Sequence, residues 1–140
     1  MRFPRFLAGV GNRFMLWQFR RGGARTRGGV DTLMLETVGA RSGDRRRSVL
    51  GYLPEGNDAW LVIAALAGAA RHPAWLHNLA ARPNATIELD HGRRVDVRAE
   101  TLDGDDLVAA WERIAREAPE FIGYRSKTDR EIPVVRLRRR

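Results

Sequence analysis

Three short segments hold the residues best suited to chemistry. The first is Gly39-Ala40-Arg41-Ser42-Gly43-Asp44-Arg45-Arg46-Arg47. Guanidinium forks meet phosphate or carboxylate in two-point contacts, and a turn rich in Ser and Gly adds backbone donors. It is a candidate anion site whose donors are the turn amides, the Ser42 hydroxyl and the guanidiniums of Arg41, Arg45, Arg46 and Arg47. Because residues after Arg47 alternate as in a strand, some of these arginines must point outward into solvent. The second segment runs from Ala64 to Leu79. Ala64, Ala65, Leu66 and Gly68 make a strand end and loop of mostly small residues, which lets backbone approach a flat ligand closely. Pro73, Ala74 and Trp75 then open a helix. Proline suits the first helical position, and the free amides there favour an anion or an electron-rich carbonyl. Trp75 is a candidate wall for the ligand's edge, although its spacing with Leu76 reads equally well as core. The third segment places Tyr124 ahead of an apolar strand. Its hydroxyl is suited to donate a hydrogen bond or proton to a reducible ligand; the competing reading is a half-buried structural tyrosine.

Other chemistries find little support. The chain has no cysteine, which removes disulfides, thiolate metal sites and cysteine nucleophiles. His72, His77 and His91 lack the spacing of a metal site, so no metal is expected. No Gly-x-Ser-x-Gly motif occurs, and Ser42 sits among arginines without an obvious base. The acidic residues fall in turns and near a helix start.

These segments need a scaffold, and 140 residues with 44% hydrophobic and 30% charged side chains are enough for one globular domain. No apolar run approaches the ~20 residues that span a bilayer, and no signal peptide is evident, so a cytoplasmic location is the simplest expectation. Charge divides the chain unevenly. Residues 1–30 carry seven arginines and no acid, whereas the remainder holds 18 basic and 17 acidic side chains. Residues 1–29 therefore read as a basic amphipathic arm and linker, and residues 30–140 as the main domain. Within the arm, Phe3, Phe6, Leu7, Val10, Phe14 and Trp17 fall on one helical stripe across residues 3–20, while Phe19 falls off it. That helix is expected either to pack over an open end of the domain or to rest on the inner, anionic face of the membrane. A nucleic-acid arm is disfavoured because the excess charge stops at residue 30.

From Val30 onward the pattern predicts six strands. Residues 31–38 alternate; 46–53 and 58–65 flank a Pro54-Glu55-Gly56-Asn57 turn; 85–90 and 93–101 flank His91-Gly92; 132–137 is the last. Helices are predicted over 73–81, before Pro83, and after an Asp103 cap, the latter with a stripe of Leu107, Val108, Trp111, Ile114 and Ala115. Six strands in hairpins with helices in the connections imply an α+β, six-stranded antiparallel barrel.

Together, Val38–Arg46, Ala65–Leu79 with its HPAWLHN core, and Tyr124–Val135 resemble the deazaflavin-dependent nitroreductase family, a branch of the split β-barrel flavin-binding fold. The resemblance extends from about residue 30 to the end. It implies coenzyme F420, an 8-hydroxy-5-deazaflavin, as cofactor, and hydride transfer to a quinone, enone or nitroaromatic compound. Arg41, Ser42, Gly43 and Arg46 would then hold the phosphate and acidic tail, assisted by Arg47. Ala64, Ala65, Leu66, Gly68, Pro73, Ala74 and Trp75 would shape the ring pocket, and Tyr124 would orient or protonate substrate. The family's N-terminal helix is associated with membrane contact. Departures are Ala65 for a serine, Leu66 for a lysine, Ala40 for an arginine, and Ala118 and Phe121 for tyrosines, which together imply a drier pocket. The alternatives are an FMN- or FAD-dependent split-barrel reductase and a non-catalytic deazaflavin carrier, as monomer or homodimer.

Overall fold

A computed structural model describes residues 17, 19, 21, 29–64, 73–126 and 131–140. Six strands, β1 (Thr32–Val38), β2 (Arg45–Glu55), β3 (Ala59–Ile63), β4 (Asn84–Leu89), β5 (Arg93–Thr101) and β6 (Val134–Arg139), close an antiparallel barrel in the order β1-β2-β3-β6-β5-β4. The helices are α1 (Ala74–Ala81), α2 (Gly104–Glu117) and α3 (Glu120–Ser126). Closure pairs every strand on both sides and leaves no open sheet edge.

Two apolar layers follow from strand alternation. Inside the barrel, Leu33, Leu35, Trp60, Val62, Ile87, Val95, Val97, Val135 and Leu137 form one buried cluster. Outside, Leu53, Leu61, Ile63, Ile132 and Val134 meet Ala110, Trp111, Ile114, Ala118 and Phe121 in a second. β3 borders both, which is why Ala59-Trp60-Leu61-Val62-Ile63 is apolar without alternation. Elsewhere one face is wet. In β5, Val95 and Val97 are buried while Arg94, Asp96 and Arg98 are exposed.

Several sequence expectations shift. The β2–β3 turn is Gly56–Asp58, with Pro54 and Glu55 still in β2. Pro73 is the residue before α1, in extended conformation, so Ala74 opens the helix. Asp103 precedes α2 but makes no side-chain capping bond. α2 is rotated from its predicted stripe: Ala110 and Ala118 are buried, while Val108 is 58% exposed. The small alanines let the helix lie close to the sheet. In the arm, Trp17 and Phe19 are helical, yet Phe19 is buried and Trp17, expected on the apolar stripe, is 53% exposed. The Arg21 guanidinium stacks 4.8 Å from the Trp17 ring centre, and this cation–π contact is compatible with its exposure. The rest of the 3–20 helix and of the linker lies outside the described residues.

Candidate functional site

The arginine turn and the start of the second segment's helix meet at one end of the barrel, where the strand that follows the third segment begins. There β1 turns into β2, β3 leaves toward α1, and β6 begins after α3. Three hydrogen bonds tie these elements together. Ala64 N–H donates to Pro133 C=O at 2.9 Å, joining the end of β3 to the start of β6. The buried Asn78 of α1 accepts from Ala40 N–H at 3.0 Å and donates through Nδ2 to Thr37 Oγ1 at 3.1 Å. Residues about forty apart in sequence are thereby held in one frame.

The arginine turn has a defined shape. Gly39 N–H donates to Asp44 C=O at 2.7 Å, and Gly43 N–H to Gly39 C=O at 3.0 Å. Asp44 N–H donates to Ser42 Oγ at 3.1 Å, which leaves the hydroxyl proton available to an acceptor. Gly43 sits at φ +74, in the left-handed region. At Gly39 a Cβ would lie 2.6 Å from Ser42 Oγ, so a larger residue there would push the hydroxyl away from the Asp44 amide.

Register separates arginines that adjoin in sequence. Arg46 lies opposite Thr37, on the face of β2 that continues into Ser48, Leu50 and Tyr52 toward the barrel interior. Arg45 and Arg47 lie on the outer face, opposite Val38 and Glu36. Arg47 Nε donates to Glu36 Oε2 at 3.2 Å, and Arg94 approaches the other oxygen of the same carboxylate at 3.5 Å. Arg41, Arg45 and Arg46 are exposed, and the ion pair between Arg46 and Asp44 is long, at 4.0 Å. Among the described residues, positive charge at this turn therefore exceeds negative charge. Arg41, Ser42, Gly43 and Arg46 stand together as sequence suggests, whereas Arg47 is engaged by Glu36.

Trp75 is buried in the inner cluster with Leu79, so it closes the barrel end as core; Ala74 beside it is exposed and Pro73 is buried. Ala64 is buried at the tip of β3. Ala65, Leu66 and Gly68 lie outside the described residues. Tyr124 belongs to α3, which packs on the outer face of the sheet and is pinned by Arg125 stacked 4.7 Å from the Trp111 ring centre. Ala118 and Phe121 are buried in that outer cluster, so their apolar character there builds core. No cluster of His, Asp and Glu able to hold a metal occurs among the described residues.

Asn78 went unassigned by sequence reasoning. Its signal was a polar residue in the helix repeat that also carries Trp75 and Leu79. Thr32, Thr37 and Asn78 are the buried polar side chains among the described residues, and two of these three lie at this end.

Coenzyme F420 carries phosphate and an acidic tail, and the donor set here fits it: exposed guanidiniums, a serine hydroxyl and a glycine-shaped turn. Comparison with known proteins points the same way. A family model described as F420H(2)-dependent quinone reductase matches residues 12–138. An F420H(2)-dependent quinone reductase of Mycobacterium tuberculosis is 36% identical over 121 residues, covering 84% of this chain and 80% of that protein. The solved structure of an F420-H2 dependent reductase, FDR-A, superposes with a TM-score of 0.68 at 28% identity, over 83% of this chain and 99% of that one. A domain-swapped dimer at 24% identity superposes with a TM-score of 0.69, over 94% and 96% of the two chains, and shares the fold. The chain thus belongs to the F420H(2)-dependent quinone reductase family, an oxidoreductase family whose cofactor is coenzyme F420.

Proposed function

We propose that this chain reduces a quinone with F420H2 bound at the turn end of the barrel. Reduced F420 supplies a hydride from C5 of its deazaflavin ring; the protein supplies binding, orientation and a proton donor. Arg41 and Arg46 hold the phosphate and acidic tail through charge-assisted hydrogen bonds, with the Ser42 hydroxyl and the Gly43 amide as further donors. Ala64, the small-residue loop with Ala65, Leu66 and Gly68, and the start of α1 at Pro73 and Ala74 shape the ring site, which Trp75 backs from the core. Tyr124 hydrogen-bonds the acceptor oxygen. Arg47, held by Glu36, steadies the strand behind the site.

The observation that carries this reading is the joining of the arginine turn to α1 through Asn78, because it holds a turn bearing exposed guanidiniums beside that helix. Residues 30–140 act as the cofactor domain. The arginine-rich segment 1–29, with Trp17 exposed beside Arg21, suits contact with the anionic membrane surface where lipid quinones reside. The test is a fluorescence titration of the full chain with oxidised F420 beside FMN. Saturable binding selective for F420 is expected; preference for FMN would replace the cofactor, and binding of neither would remove the reading.

A further inference from the structure

The β1–β2 ladder ends at the Val38–Arg45 pair, the Gly39–Asp44 and Gly43–Gly39 hydrogen bonds close the turn on itself, and the Asn78–Ala40 bond ties that turn to α1. We infer that Asn78 is a positioning residue for cofactor binding: it orients Arg41 and Arg46 without touching the ligand. The inference rests on the reading that this turn holds the acidic part of F420.

Both of its bonds fall where they control those arginines. The acceptor oxygen of Asn78 takes the amide of Ala40, the residue before Arg41. The donor nitrogen of Asn78 reaches Thr37 Oγ1, and Thr37 faces Arg46 across the ladder. Asn78 is 7% and Thr37 2% exposed, so water competes poorly for either bond. Removing one partner would leave a buried polar group unpaired, which costs more than the bond itself contributes. Only a side chain with a donor and an acceptor at this reach can serve both groups, and a primary amide supplies them on one planar head. Trp75 and Leu79, buried on the same helix, hold α1 in the barrel end and so give Asn78 a fixed base. Through it, the position of the helix is passed to the turn.

The test compares the full-length wild type with N78A, T37V and T37S by amide exchange at Ala40 and by titration with oxidised F420. In N78A, Ala40 should lose exchange protection and the Kd for F420 should rise about tenfold. T37V, which leaves Asn78 Nδ2 unpaired, should weaken F420 in the same direction, and T37S should restore wild-type affinity. In turnover, KM for F420H2 should rise more than kcat falls. Wild-type Kd in a folded N78A whose Ala40 amide exchanges freely would overturn the inference. If N78A does not fold, wild-type Kd in T37V would overturn it instead. Failure of the wild type itself to bind F420 would remove the functional reading beneath it, and this inference with it.

Discussion

The two ends of the barrel use the same residue type for different purposes. At the end where β2 turns into β3 and β6 finishes, arginines meet acids. Arg136 grips both oxygens of Glu55 at 2.7 and 3.2 Å, Arg139 meets Asp58 at 3.1 Å, and Arg140 approaches Asp96 at 3.9 Å. Arg113 bonds Glu117 and the carbonyl of Pro54, fastening α2 to the last turn of β2. At the other end, Arg41 and Arg45 make no ion pair among the described residues, and Arg46 only a long one. Paired arginines settle strands against one another. The exposed arginines of the turn have no such close acid among the described residues, which is the charge balance the proposed anion site requires. Arg47 shows how narrow the boundary is: one residue beyond Arg46, it crosses to the other face and is taken by Glu36.

The contrast can be tested most severely at Trp75. If it is the plug of the turn end, Trp75→Ala should lower stability by about 3–5 kcal/mol, measured by denaturant unfolding, because a large buried side chain leaves a cavity. A stable variant that loses only F420 affinity would make Trp75 a ligand wall and not core. Next, replacing Arg41 and Arg46 together by Ala should weaken F420 binding by about 2–3 kcal/mol, the scale of lost charge-assisted hydrogen bonds. Replacing Arg139 and Arg140 together should leave that affinity unchanged, and equal loss from both pairs would dissolve the distinction between the ends. Tyr124→Phe should slow turnover by about tenfold or more, as for loss of a positioned proton donor, with F420 affinity retained. Full turnover in that variant would remove Tyr124 from the chemistry.

The smallest effect belongs to Tyr52, on the inner face of β2 toward the acid-paired end. Burial, then the nearby charges of Asp31 and Asp90, push its hydroxyl above the ordinary value of 10.0, against an opposing pull from Arg93. The unfolded chain therefore releases this proton first as pH rises. Stability should be unaffected below about pH 10 and decline above it. Tyr52→Phe should flatten that alkaline limb in pH-dependent thermal melts, and an unchanged limb would assign it to other groups.

Much of this architecture was legible beforehand because its signals are local. Alternation in β5 and turn residues at Gly39–Gly43 and Gly56–Asn57 each act over a few residues, whereas β1, expected to alternate, buries Thr32 to Leu35 in succession. The errors arose where burial depended on distant partners. Periodicity alone puts Val108 and Ala115 of α2 inward, but contact with the sheet selects the side bearing Ala110 and Ala118. Trp17 and Phe19 exchanged their expected roles for the same reason: periodicity defines a face without saying what the face meets. Pro73 precedes α1 by one residue where its type suggests the first helical position, and it still marks the helix start.

The candidate site shows the same division. Sequence by itself determined that an arginine-rich Ser/Gly turn, a helix beginning near Pro73, and a tyrosine ahead of the last strand exist, since these depend on residue type and spacing. It also determined a barrel, because six short alternating segments have few other ways to bury one face. Only the tertiary structure decided that the arginine turn and α1 share one end, that Arg46 and Arg47 face opposite ways, and that Asn78 joins helix to turn. Those outcomes depend on strand register and on hydrogen bonds between residues about forty apart, which pairing across the closed barrel sets and local sequence does not encode.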